Sequence, residues 1–374
     1  MRTKATEMLG MELPIFAFSH CRDVVAEVSK AGGFGVLGGT GFSPELLEQE
    51  LRWIDEHTGG KPYGVDLLMP ATYEKNVIRK DIKLEDILPK EQVDFANKLL
   101  EQANIPELPD DVKGEVRQRI LGMVQMEPEV IAELLEVTYR HPQVKLIVSA
   151  LGAPAKHHIE RAHSLGIKVG ALAGSLKHAL KSREAGVDMI VAQGYEAGGH
   201  TGQITSMVLW PELAEALDIP VLAAGGVGRG NQMAAALAMG AAGVWCGSIW
   251  LGTRESEATP EEKEIMFRAS ASDTVQSKHM SGKPVRMIRN SITDAWADPD
   301  APKTLGAPRQ MMLWREPNIR IERAKAKELM TPIVGQVVGM MTKEKTVKRV
   351  IEEMLEEFIE AVDRLNTVVP SEIK

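Results

Sequence analysis

Cysteine is nearly missing from this chain of 374 residues: Cys21 and Cys246 are the only two. Two thiols are too few for a disulfide framework or a zinc site, so reducing, cytoplasmic conditions are the simplest expectation. Aromatic residues are also scarce, at 5%, so the 44% apolar fraction is largely aliphatic, with 19 methionines. That fraction is ample for a large core. Positive charge is in deficit, giving a formal net charge of −8. A nucleic-acid partner would favour a basic face and is not expected. No apolar run approaches the length of a transmembrane helix. The opening stretch Met1–Glu7 lacks the apolar core of a secretory signal.

What the chain does have is a repeated alternation of short apolar runs and helical patterns. Runs at 14–18, 34–38, 63–69, 144–150, 169–173, 189–192, 220–226 and 243–249 read as eight strands. They are continuous rather than alternating, as expected of strands buried on both faces. Helical patterns fall between them. Asp23 is expected to cap the helix after the first strand. Ser43 and Pro44 have the cap-then-proline order of a helix opening at 44. The spacing predicts helices over 155–164, 176–184, 210–217 and 230–239. Eight units favour closure into a (β/α)8 TIM barrel over an open sheet.

Two segments depart from the rhythm. Residues 70–127 are polar, charged, helical in pattern and punctuated by Pro89, Pro106 and Pro109. They predict a helical insertion after the third strand, either a lid, an oligomer contact or a solvated excursion. The end of the chain predicts a long amphipathic helix, with Val347, Val350, Ile351, Met354, Leu355, Phe358, Val362 and Leu365 on one face. The expected division is a barrel over 1–270, carrying the insertion, and a C-terminal extension over 271–374 that packs helices on the barrel. A dimer contact is the alternative for the last helix, and monomer or homodimer stays open.

The chemistry gathers at three glycine-rich strand ends. Gly198, Gly199 and His200 follow the sixth run, Gly225 and Gly226 follow the seventh, and Trp245, Cys246, Gly247 and Ser248 close the eighth. In such a barrel the site lies at the C-terminal ends of the strands. The loops after strands seven and eight usually form a phosphate clamp. Ser248 adds a hydroxyl donor. A phosphorylated ligand is the inference from these residues. Glu196 is expected to accept backbone N–H bonds and shape its loop, Cys246 to be a buried, inert thiol, and Trp245 and Trp250 chiefly to pack. His157, His158, His163 and His178 fall on outer helices. His20 and His279 are placed where each can reach the pocket.

The stretches "AQGYEAGGHTG", "PVLAAGGVGRGNQMAAALAMGAAGVWCGS" and "SGKPVRMIRN" resemble the nitronate monooxygenase family, as do "AGGFGVLGGTGFSPELL" and "YGVDLL" nearer the start. The resemblance covers nearly all of the chain outside 70–127 and the last twenty-five or so residues. It implies an FMN-dependent oxidoreductase that oxidises alkyl nitronates with oxygen. Within the same family lies an NAD(P)H-dependent reduction of a quinone, enone or acyl-thioester. A non-redox barrel that binds a phosphorylated ligand is the alternative from another class. By resemblance, His200 is the catalytic residue. Gln193, Gly198 and Gly199 support FMN, and Ala17, Phe18 and Asp66 lie near its ring. Gly225, Gly226, Gly247 and Ser248 hold its phosphate beside Trp245 and Cys246. The family often has asparagine where Asp66 stands, threonine where Ser248 stands, and Gln-Ala-Pro-Met near Phe16–His20. An ionised Asp66 is a poor neighbour for a reduced, anionic flavin.

Overall fold

The computed structural model describes residues 1–69, 87–122 and 128–368. Eight parallel strands close into a barrel in the order β1 (Ile15–Ser19), β2 (Phe34–Gly38), β3 (Tyr63–Leu67), β4 (Val144–Ser149), β5 (Lys168–Ala173), β6 (Met189–Gln193), β8 (Val221–Ala224) and β9 (Gly243–Cys246). Closure is made by β1 against β9, with Ala17 opposite Cys246. This is the (β/α)8 TIM barrel that the eight apolar runs predict.

Each strand is buried on both faces, and its residues alternate between two cores. Phe16, Phe34, Val36, Leu146, Val148, Met189, Val191, Leu222, Ala224 and Trp245 fill the inside. Ile15, Ala17, Leu37, Val65, Ile147, Val169, Ile190, Ala192, Val221, Val244 and Cys246 face the surrounding helices. The continuous apolar runs follow from this: neither face of a strand meets water. Gly35 lets helix Arg22–Lys30 close onto β2, since a Cβ there would stand 2.2 Å from the Val25 carbonyl oxygen.

Helix starts follow local chemistry, with two corrections. Ser43 accepts the Leu46 N–H and Pro44 occupies the first turn, as expected. Asp23 is not a cap: the helix Arg22–Lys30 begins one residue before it, after Cys21, and Asp23 lies in its first turn, where its charge suits the positive helix end. The helix expected from Trp210 begins at Ser206. The missing signal was a cap supplied by a distant residue, Glu196 (below).

Two additions flank the barrel. A three-stranded antiparallel sheet joins β10 (Thr274–Ser277), β11 (Val285–Ile288) and β7 (Gly199–His200). The described part of the insertion, 87–122, holds helices Lys90–Gln102 and Asp110–Gly122; the expected helical pattern at 70–86 and 123–127 lies outside the described residues. Leu88, Ala96, Leu100, Ile105, Val116 and Ile120 share a second core with Ile292, Trp296, Met312, Leu313, Trp314 and Ile321 of the C-terminal segment. Arg320 ties the two together, donating to the Ile105 and Pro106 carbonyls at 2.9 Å each. The last helix, Val347–Val368, packs on helix Gly230–Ala238 instead. Val347, Ile351 and Met354 are buried there, and the Gly230 N–H donates to Glu357 at 2.8 Å. Its apolar face runs past the contact: Val362 and Leu365 are exposed.

Candidate active site

Four side chains turn inward at the C-terminal mouth of the barrel. On β3, Val65 and Leu67 face outward, so Asp66 between them faces in. By the same alternation Gln193 points in from the end of β6. Phe18 and Trp245 pack against the inner core, their rings stacked with centroids 6.2 Å apart. Asp66 is 4% exposed, and burial pushes its carboxyl well above the usual carboxylate range. His20 stands at the same rim, its Nδ1 2.9 Å from the Gly38 carbonyl oxygen and its ring edge-on to Phe18. Ala17 and Cys246 differ from these. Their side chains lie in the outer core, so only their backbone reaches toward the mouth. Burial alone pushes the Cys246 thiol up to about 12, consistent with an inert group.

One side of the mouth is built of backbone. Gly225 and Gly226 both have positive φ, +98° and +76°, a conformation that excludes most side chains. A Cβ at Gly225 would also stand 2.9 Å from the Gly194 carbonyl oxygen and from Ser206 Oγ. At Gly247 a Cβ would meet only Phe18, at 4.0 Å, so the backbone there borders open space. The Gly226, Val227, Ser248 and Ile249 N–H groups have no hydrogen-bond acceptor among the described residues. Ser248 Oγ accepts the Gly335 N–H at 2.8 Å, which leaves its own proton to donate. Free N–H groups, two left-handed glycines and a hydroxyl make a cradle for an anion.

The loop after β6 is clamped from several sides. Glu196 accepts from both the backbone N–H and the hydroxyl of Ser206, at 2.9 and 2.7 Å, and so caps the next helix. It is the loop-shaping acceptor that the sequence predicts. Gly198 has a packing role: its Cβ would lie 2.7 Å from the Gly335 nitrogen, where the C-terminal segment crosses the loop. Gly199 and His200 then pair with Arg286 and Val285 of β11. Arg286 is 2% exposed, without a carboxylate partner among the described residues. Its guanidinium donates to the Tyr195 carbonyl at 3.0 and 3.2 Å and lies 4.4 Å from the Tyr195 ring centroid. A buried charge held by one carbonyl, the Thr274 hydroxyl and a ring is costly to disturb.

His200 sits on this clamped loop as an exposed residue. Nε2 is 2.8 Å from Ser281 Oγ. Ser281 in turn donates to the Lys283 carbonyl at 3.2 Å. With the serine proton used there, Nε2 carries the imidazole proton and Nδ1 keeps its lone pair. Crowding by the protein, and then the Lys283 ammonium, hold the His200 pKa below the ordinary imidazole value. The ring is therefore neutral near pH 7. Ser281, Lys283 and Arg286 are the functional residues that sequence reasoning missed. Their signal was present in "SGKPVR", but only the β7–β11 pairing brings that stretch to His200.

The remaining histidines separate cleanly. His279 does not face the mouth; it is fully buried in the second core beside Trp314, and burial pushes its pKa down to about 4. His157 and His178 are exposed, and His163 pairs with Asp188 at 2.7 Å. His141 is buried at the opposite end of the barrel, 2.6 Å from Asp55. Trp250 is buried and donates to the Cys246 carbonyl, a packing role.

Comparison with known proteins bears on the fold and the family. The family model for nitronate monooxygenase matches residues 18–357. A Mycobacterium tuberculosis protein provisionally named a monooxygenase is 50% identical over 348 residues, 90% of this chain and 91% of the relative. A Staphylococcus saprophyticus protein provisionally named a nitronate monooxygenase is 30% identical over 307 residues, 78% of this chain and 80% of the relative. Among solved structures, nitroalkane oxidase from Streptomyces ansochromogenes superposes with a TM-score of 0.79 at 26% identity, covering 97% of this chain and 100% of that one. FabK from Thermotoga maritima superposes with a TM-score of 0.75 at 25% identity, covering 99% and 100%. With the family model spanning the barrel from β1 to the last helix, and with an anion cradle and a neutral histidine at its mouth, this chain belongs to the nitronate monooxygenase family of flavin-dependent oxidoreductases.

Proposed function

We propose that the chain binds FMN at the barrel mouth and oxidises alkyl nitronates, with oxygen as electron acceptor. The observation that carries this reading is the arrangement of the mouth. A backbone cradle at Gly225–Gly226 and Gly247–Ser248 lies beside an apolar and uncharged polar rim of Phe18, Trp245, Gln193 and Asp66. The cradle suits the FMN phosphate, and the rim suits a flat ring. Gly199 supports the ring through its loop, while Ala17 and Cys246 offer backbone atoms. Bound flavin supplies the redox chemistry, taking electrons from the substrate and passing them to oxygen.

The protein's own part is orientation and proton transfer. His200 is neutral, fixed by Ser281 and exposed. With a nitronate, its N–H can hold a substrate oxygen. With the conjugate nitroalkane, its lone pair can take the α-proton and deliver the nitronate in place. Trp245 and Phe18 keep water from the inner side of the rim.

The second reading is an NAD(P)H-dependent reduction of a quinone, enone or acyl-thioester, favoured by the full-length superposition on FabK. Anaerobic titration of the FMN-loaded protein separates the two. Bleaching of the flavin absorbance by an alkyl nitronate, followed by oxygen uptake on aeration, is expected. Bleaching by NADH or NADPH and not by the nitronate overturns the first reading in favour of the second. A colourless protein that takes up no FMN leaves the non-redox barrel.

A further inference from the structure

Among the described barrel strands, Asp66 carries the one acidic side chain turned into the mouth, and its surroundings are unusual for a carboxylate. In register beside it lie Gly38 on β2 and Val148 on β4. Phe18 and Trp245 cover the neighbouring rim, and Gln193, uncharged, points in from β6. The carboxyl makes no hydrogen bond or ion pair among the described residues. The cations of β4 and β5, Lys145 and Lys168, stand at the far end of the barrel, Lys168 paired with Asp188. The titratable ring on the same rim is His20, whose Nδ1 is turned to the Gly38 carbonyl. A charge here would have no partner among the described residues and little water, and a carboxyl so placed keeps its proton. Burial is the only cause of its raised pKa.

We infer that Asp66 serves the ring of bound FMN as an uncharged carboxylic acid, its O–H donating a hydrogen bond to a ring acceptor. The inference rests on the FMN reading above. It resolves the departure at this position: protonated aspartic acid has the shape of asparagine, and like the amide it offers one donor and one acceptor. It also removes the clash expected between an ionised Asp66 and a reduced, anionic flavin. A proton lost from Asp66 would convert a donor into a repelling charge.

Infrared difference spectroscopy tests this directly. The wild-type minus Asp66→Asn difference for the apoprotein at neutral pH is expected to contain a protonated-carboxyl C=O band, and adding FMN to wild type is expected to shift it. Asp66→Asn is expected to bind FMN as wild type does, whereas Asp66→Leu loses up to about tenfold in affinity, the worth of one hydrogen bond. If Asp66→Asn fails to fold, the same band is read in wild type made with isotope-labelled aspartate. No protonated band, or a band that FMN leaves unmoved although fluorescence quenching shows FMN bound, overturns the inference alone. Wild type that quenches no FMN fluorescence overturns the cofactor reading first.

Discussion

The barrel and the second core are built on opposite principles. In the barrel, every strand pairing except the closing one of β1 with β9 joins a strand to the next barrel strand: β1 pairs β2, β2 pairs β3, and so on to β6, then β8 and β9. In the second core, the contacts join residues some 200 positions apart. Gln92 donates to the Lys303 carbonyl across 211 residues and Arg320 to Ile105 across 215. The active site needs both. The barrel supplies the cradle and the inward-facing rim, while the C-terminal segment supplies Ser281, Lys283 and Gly335, which fix His200 and cross the glycine loop. A barrel alone would bind a ligand but leave its histidine unsupported.

The largest expected effect tests whether the second core is a packed body. Trp314 is 1% exposed and meets His279 and Trp296 edge-on. Trp314→Ala should lower stability by about 3–5 kcal/mol, the usual result of opening such a cavity, measured by equilibrium urea unfolding. FMN affinity should fall far less, since the cradle is in the barrel. A loss below about 1 kcal/mol would mean that the two bodies are not comparably packed.

Next comes the crossing of the two bodies. Gly198→Ala puts a methyl 2.7 Å from the Gly335 nitrogen and 2.8 Å from the Val334 carbonyl carbon. Backbone cannot move as a side-chain tip can, so a cost of about 1–3 kcal/mol is expected in thermal unfolding. Turnover should drop with it, because His200 is two residues on. Unchanged stability and turnover would show that the crossing is looser than its geometry implies.

This contrast also sets what the sequence makes legible. The barrel was readable because burial on both faces writes itself into local composition: short apolar runs at regular spacing, with capped helices between. The glycine pairs were readable for the same reason, being strand ends in a fold whose sites lie there. Pairings over long separations leave no such mark. Ser281 and Lys283 look like ordinary turn residues until β7 and β11 pair. Gly198 reads as a cofactor glycine, although a backbone crossing already requires it. The start of helix Ser206–Ala216 was missed because its cap, Glu196, sits ten residues upstream. Ala17 and Cys246 stand at the right strand ends, and only the inside–outside alternation shows that their side chains turn away.

A smaller effect reads the electrostatic reach of the C-terminal segment onto the barrel. Lys283 lies near His200 and helps to depress its pKa, second to burial. A base must be neutral to act, so kcat/KM for a neutral nitroalkane should rise with pH through the His200 pKa. Lys283→Met removes a repelling charge, raises that pKa and moves the acid limb toward higher pH. The loss should be a few-fold on the acid side and nil above the limb. A limb that does not move, or moves down, would remove Lys283 from this role. His200→Asn should abolish the limb itself while FMN stays bound.

The smallest effect separates two halves of one helix. Val347, Ile351 and Met354 of the last helix are buried, and the helix packs on Gly230–Ala238, but Leu365 is 51% exposed. The sequence pattern puts both on one apolar face, so pattern alone predicts equal losses. The structure does not. Removing an exposed side chain exposes little new apolar surface, and the helix propensity of serine is only slightly below that of leucine. Leu365→Ser should therefore change stability by less than about 0.5 kcal/mol, whereas Met354→Ala should cost about 2–5 kcal/mol. If Leu365→Ser instead costs as much as Met354→Ala, the end of this helix is covered in solution. That loss should then depend on protein concentration if a second copy of the chain covers it, because association stabilises by mass action.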